Sequence, residues 1–195
     1  MQIWSRCFKQ GAEVTLHESV QRLQELAGEV MKIDLGYELS EHIVHPPLPP
    51  AEFAAALAKA ECAGNQFLEE FYRACDGFEL PDVHNGYFIR RAQKLSNRCP
   101  DSDIRSISGS NAVQHVISIG ATGGGDRLVV DLDRNDVWFL PPRLIKDGVY
   151  YDDGAADRVA TGAEQFVERV ISDVSAFVRD LFGHNYIGSH GWRKG

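Results

Sequence analysis

Apolar residues recur at helical spacing through Leu16, Val20, Leu23, Ala27 and Val30, so the chain from Thr15 predicts an amphipathic helix with one face on a core. Thr15 and Glu18 stand in the order T-x-x-E, a capping box in which hydroxyl and carboxylate satisfy first-turn amides that lack an intrahelical acceptor. Gly36 closes this region. The stretch His45-Pro46-Pro47-Leu48-Pro49-Pro50 is excluded from helix interior, because proline has no amide hydrogen and disfavours the helical conformation in the residue before it. It predicts a linker or extended strap with Pro50 at the entry of the next helix, a polyproline ligand being the alternative. Two helical pieces follow, 51–61 and 66–74, broken near Gly64 and Asn65. Their core candidates are Phe53, Leu57, Phe67, Leu68, Phe71 and Tyr72, and Gly77 supplies the stop.

Beyond Gly77 the pattern changes to short β-type runs at 87–89, 113–119, 128–132, 137–140 and 149–151, separated by clusters of Gly, Asn and Asp. Runs this close predict a meander, since parallel neighbours need crossover connections of about a dozen residues or more. A second T-x-x-E, at Thr161 and Glu164, predicts a cap on a last helix with the stripe Phe166, Val167, Val170, Val174, Phe177, Val178 and Leu181. Helices, then strands, then a helix define an α+β class, with a mixed or mainly antiparallel sheet flanked by helices. The expected organisation is a helical segment over 1–45, packed on or appended to an α+β domain over 46–183, and a mobile tail over 184–195.

The length of 195 residues and the 44% hydrophobic and 25% charged content fit a globular protein, able to bury about 70% of its unfolded surface without staples. No apolar run approaches the ~18 to 20 residues of a membrane span, and residues 1–10 lack the features of a signal peptide. A cytoplasmic protein without membrane contact is the expectation. With 20 Lys+Arg against 28 Asp+Glu the net charge is −8, which disfavours a grip on nucleic acid and favours basic partners. Cys7, Cys62, Cys75 and Cys99 form no C-x-x-C pair and read as reduced, mostly buried thiols.

The candidate chemistry is sparse. The run from Gly120 to Gly125 imitates the start of a phosphate-binding loop, but Asp126 and Arg127 replace its Lys-Ser/Thr and a strand follows where a helix is needed. It reads as a tight strand connection. Asp131, Asp133 and Asn135 imitate the start of a calcium loop, yet Asp136 and Pro142 occupy the places of its glycine and glutamate, so residues 133–136 read as a hairpin turn whose side chains cap its amides. His42 and His45 are the closest histidine pair and are followed at once by prolines, which places them in a solvated loop; His115 reads as a surface or hydrogen-bonded sheet residue. No serine elbow occurs around Ser108 and Ser110, and the adjacent carboxylates Glu69/Glu70 and Asp152/Asp153 do not face each other across a substrate. No catalytic residue, cofactor or metal is assigned.

Charge is distributed unevenly. Residues 45–86 hold 2 basic and 7 acidic side chains, net −5, and residues 87–112 hold 5 and 2, net +3. Glu69, Glu70, Asp76, Glu79 and Asp82 are expected to form one acidic surface near Gly77, and Asp147, Asp152, Asp153 and Asp157 a second, either able to steer a basic protein.

Three segments in this order carry a family resemblance: FLEEFYRACDGF over 67–78, a glycine-rich turn entering a strand over 119–132 with the return strand 137–140, and VATGAEQFVERV over 159–170. Together they resemble the SUKH superfamily, which includes fungal cell-wall-synthesis regulators and bacterial immunity proteins of toxin systems. The resemblance covers about 46–182; Gly64, Asn65 and Gln66 stand where the family has Leu-Pro. It implies a SUKH-like α+β fold and protein binding without catalysis. The first expectation is an immunity protein that binds and neutralises a basic toxin through the acidic surfaces. The alternatives are a regulatory scaffold for signalling or cell-wall-synthesis partners and, more remotely, an enzyme with a dispersed active site.

Overall fold

The computed structural model describes residues 15–95, 104–180 and 183–188. It contains helices α1 (Leu16–Val30), α2 (Pro50–Lys59), α3 (Gln66–Ala74) and α4 (Ala163–Val178). The strands are β1 (Ile43–Val44), β2 (Phe78–Leu80), β3 (Tyr87–Ile89), β4 (Ser106–Gly109), β5 (Val116–Ala121), β6 (Arg127–Asp131), β7 (Asp136–Leu140), β8 (Ile145–Lys146), β9 (Val149–Asp152) and β10 (Asp157–Thr161). Seven form an antiparallel sheet in the order β1-β2-β3-β5-β6-β7-β10. A small mixed sheet, β4-β9-β8, pairs β4 and β9 in parallel. The class is α+β.

The capping box at Thr15 forms as expected: Thr15 N donates to Glu18 Oε2 at 2.7 Å, and Glu18 N donates to Thr15 Oγ1. These bonds, the backbone amide of Thr15 first, hold the Glu18 carboxyl below its ordinary range. The α1 stripe buries Val20, Leu23, Ala27 and Val30 together with Leu26, and Ser19 Oγ donates to Glu168 of α4 at 2.5 Å, so α1 lies along α4. Pro50 opens α2 and Asn65 caps α3 by accepting from Leu68 N at 3.0 Å.

The β6 side chains alternate between two cores, and this explains the uninterrupted apolar run Leu128-Val129-Val130. Leu128 and Val130 meet α1, α3 and α4 in the main core, around an aromatic cluster of Phe67, Phe71, Phe78 and Phe166. Val129, with Val116 and Leu140, faces the second core of Ile104, Ile107, Val113 and Tyr150 beneath the small sheet. A strand buried on both faces has no polar alternation to display.

Two expectations are corrected. Thr161 and Glu164 form no capping box: β10 continues through Thr161, so the cap position falls to Gly162, which offers no side chain, and Thr161 N and Oγ1 instead donate to Gln165 Oε1 at 2.6 and 2.8 Å. In place of a free tail from residue 184, residues 184–188 are packed. Ile187 is buried in the main core, and the ideal Cβ position of Gly188 lies 2.4 Å from Phe139 Cζ, a spacing only glycine accepts. Residues 189–195, Cys7, Cys99 and Leu181 lie outside the described residues.

Candidate interaction groove

The strap reaches α3 through backbone bonds that sequence alone does not reveal. His45 N donates to Gly77 O and Asp76 N to His45 O, fixing the prolines beside the end of α3, while β1 joins β2 just upstream. Gly77 has φ +83°, and its ideal Cβ position lies 2.4 Å from Ile89 O and 2.7 Å from Arg90 O, so β2 turns away from α3 through a point where no side chain fits. With the strap tied down on one side and α2 standing on the other, a groove of about 590 Å³ is left open. It is lined by Pro47 and Leu48 of the strap, by Pro50, Phe53, Ala54 and Leu57 of α2, and by Ala63. At the rim Arg73 pairs with Glu69 at 3.6 Å. The lining is otherwise apolar.

The expected acidic surfaces are dispersed by the fold. Asp76 is fully buried: it accepts from Arg91 Nε and Ala92 N, both at 2.7 Å, and is a structural anchor with no surface to offer. Asp82 accepts from Ser40 N at 2.9 Å and pairs with His42 Nε2 at 3.1 Å. Asp152 is buried too, with Oδ1 accepting the amides of Gly154, Ala155 and Ala156 and Oδ2 those of Asn111. Burial pushes its carboxyl up, but these amides together outweigh burial and hold it below the ordinary carboxylate range. Glu69, Glu70, Glu79, Asp147, Asp153 and Asp157 remain at or near the surface; Glu70 accepts from Gln66, Glu79 lies 3.6 Å from His45, and Asp153 pairs with Arg143.

His42 is also corrected, for its side chain is fully buried because β1 draws it inward against Asp82. His45 is largely buried, and His115 is exposed and pairs with Asp133 Oδ2 at 3.0 Å. Among the described residues no three His, Cys, Asp or Glu side chains gather as a metal site would require. The glycine-rich connection keeps its own amides occupied: Gly123 N donates to Asn85 O, Gly124 N to Thr122 Oγ1 and Gly125 N to Thr122 O. It presents no nest of free donors to a phosphate. In the 131–136 turn the cap is Asp131, whose Oδ1 accepts from Asp133 N and Arg134 N, while Asn135 Oδ1 accepts from Asn65 and from Phe67 N. That turn thus docks the start of α3. Burial pushes the Cys62 and Cys75 thiols up to about 11 and about 12, and both are free and buried.

No family model, curated protein or solved structure matches the chain. Among the described residues no helix is long and apolar enough to cross a membrane.

Proposed function

We propose that this chain is a protein-binding domain without catalytic activity, acting as an immunity protein that holds a cognate toxin polypeptide through the groove between the strap, α2 and α3. The groove carries the reading. A small-molecule site combines apolar walls with polar groups placed to orient the ligand, whereas here the lining charges are Glu69 and Arg73, already paired with each other at the rim. An apolar side chain projecting from a folded partner needs no such groups, and burying one aromatic or aliphatic anchor in a pocket is how protein interfaces concentrate their affinity. The family resemblance supports the same class. The remaining surface carboxylates, Glu70 and Glu79 among them, favour a partner with basic residues around its anchor.

The test is recovery of the partner with tagged protein from its own cells, followed by binding measurements with Ala54→Arg and Ala63→Arg. Both alanines line the groove and are exposed, so an added side chain fills the groove without opening the core. A binding loss of tenfold or more in both variants, with a partner that kills cells unless this chain is co-expressed, is the expected result. Undiminished binding removes the groove. Recovery of several signalling or envelope-synthesis proteins in place of one toxic polypeptide replaces the immunity role with the scaffold.

A further inference from the structure

The C-terminal end of the described chain is held by one carboxylate. Asp173 of α4 is fully buried; its Oδ2 accepts from Tyr87 OH at 2.5 Å and from Ile187 N at 2.9 Å, and its Oδ1 pairs with His184 Nε2 at 2.8 Å. Arg169 lies 3.8 Å from Asp173 Oδ1 and donates to the Asn185 carbonyl. Between these bonds the Tyr186 ring is held by two imidazoles. His84, in the β2–β3 connection, stacks on it at 4.3 Å with planes 10° apart, and His184 meets its edge at 4.7 Å. His84 has φ +53°, a left-handed backbone that is uncommon for a side-chain-bearing residue and holds the ring over Tyr186.

We propose that residues 183–188 are a proton-operated latch: when His84 takes a proton from solvent it leaves the stack on Tyr186, and the segment loosens from Asp173, uncovering the core edge at Phe139. The charges acting on Tyr186 are Asp173 and Asp180, with Arg169 3.8 Å from Asp173. Protonating His84 adds a positive charge to this small volume, where the ring lies against Tyr186. The groups facing His84 are Asp173 from α4, Asp126 from the β5–β6 turn, and His184 and Tyr186 from the latch itself; Tyr87 and Arg169 complete the set around Asp173. Burial is the largest influence on His84 and, aided by His184, outweighs the attraction of Asp173 and Asp126, so the imidazole is held below its ordinary 6.5. A group whose proton affinity is depressed by docking contributes its full stabilisation of the docked state above its free value and loses it as pH falls below that value and through the lower docked one.

The test is amide exchange of Ile187 in the full chain, with protection corrected for intrinsic exchange and compared with Val130 in the central strand, between pH 7.5 and 5. The expected result is a selective loss of Ile187 protection below pH 6.5, approaching about tenfold per pH unit for uptake of one proton. His84→Asn, which tolerates the left-handed backbone, should flatten that loss, and His184→Gln, which still donates to Asp173, should retain it. A pH-independent Ile187 amide in the wild type, or an unchanged pH response in His84→Asn, overturns the latch. Should His84→Asn release the segment at every pH, the wild-type NMR titration decides: the His84 ring and the Ile187 amide must share one midpoint, and separate midpoints overturn the proposal.

Discussion

Removing the carboxylate of Asp173 strands two buried donors, and the size of the effect follows from their burial. In Asp173→Ala, Tyr87 OH and Ile187 N lose their acceptor inside residues only 1% and 3% exposed. Each orphaned buried group costs about 1–3 kcal/mol, and His184, at the edge of the site, turns to water, so the variant should lose about 4 kcal/mol. For a chain of this length that lowers the melting temperature by about 8–16 °C. Asp173→Asn keeps one acceptor oxygen and should lose about 1–2 kcal/mol. The cause is isolated by adding Tyr87→Phe to Asp173→Ala, which removes one orphan and should restore about 1–3 kcal/mol, although Tyr87→Phe alone is destabilising. Urea unfolding of the wild type and these four variants measures the free energies, and thermal melts of the wild type and Asp173→Ala measure the temperature shift. A loss under about 0.5 kcal/mol in Asp173→Ala, or strictly additive effects of the two substitutions, would refute the account of Asp173 as the anchor of the segment.

Gly77→Ala should cost more than the ~1–2 kcal/mol of a left-handed alanine, because the new methyl meets Ile89 O and Arg90 O; Gly36→Ala, at φ +75° with open space around it, should cost only the backbone part, and thermal melts compare the two. Asp152, whose carboxyl is held low by the turn amides, contributes stability that is fully present above the unfolded value of about 3.9 and is lost as pH falls through its folded value. Urea midpoints between pH 2.5 and 6 should therefore fall less steeply on the acid side in Asp152→Asn than in the wild type.

Much of the architecture is legible along the chain, because it rests on local periods and on residues with one conformational use. The Thr15 cap, the α1 stripe, Pro50 at the start of α2, the break at Gly64 and Asn65 and the strands around Val129 and Trp138 are all of this kind. The strands that escape notice, β1, β2, β4, β8 and β10, have two to five residues, and β1 and β4 find their partners far along the chain. The Thr161 motif misleads for a related reason: it is locally a cap, but strand pairing with Asp136 keeps Thr161 extended.

Side-chain fate is the part that only tertiary structure decided. Asp76, Asp152 and Asp173 look like the surface carboxylates around them, since each is polar and flanked by ordinary sequence. What makes them internal is the arrival of donors from elsewhere: Arg91 and Ala92 at Asp76, Asn111 at Asp152, Tyr87 and Ile187 at Asp173. A charge stays buried only where such bonds replace water, and whether they arrive depends on how distant segments pack. The groove has the same origin. Its prolines and alanines are visible in the sequence, but the space between them exists because two backbone bonds at His45 hold the strap beside α3.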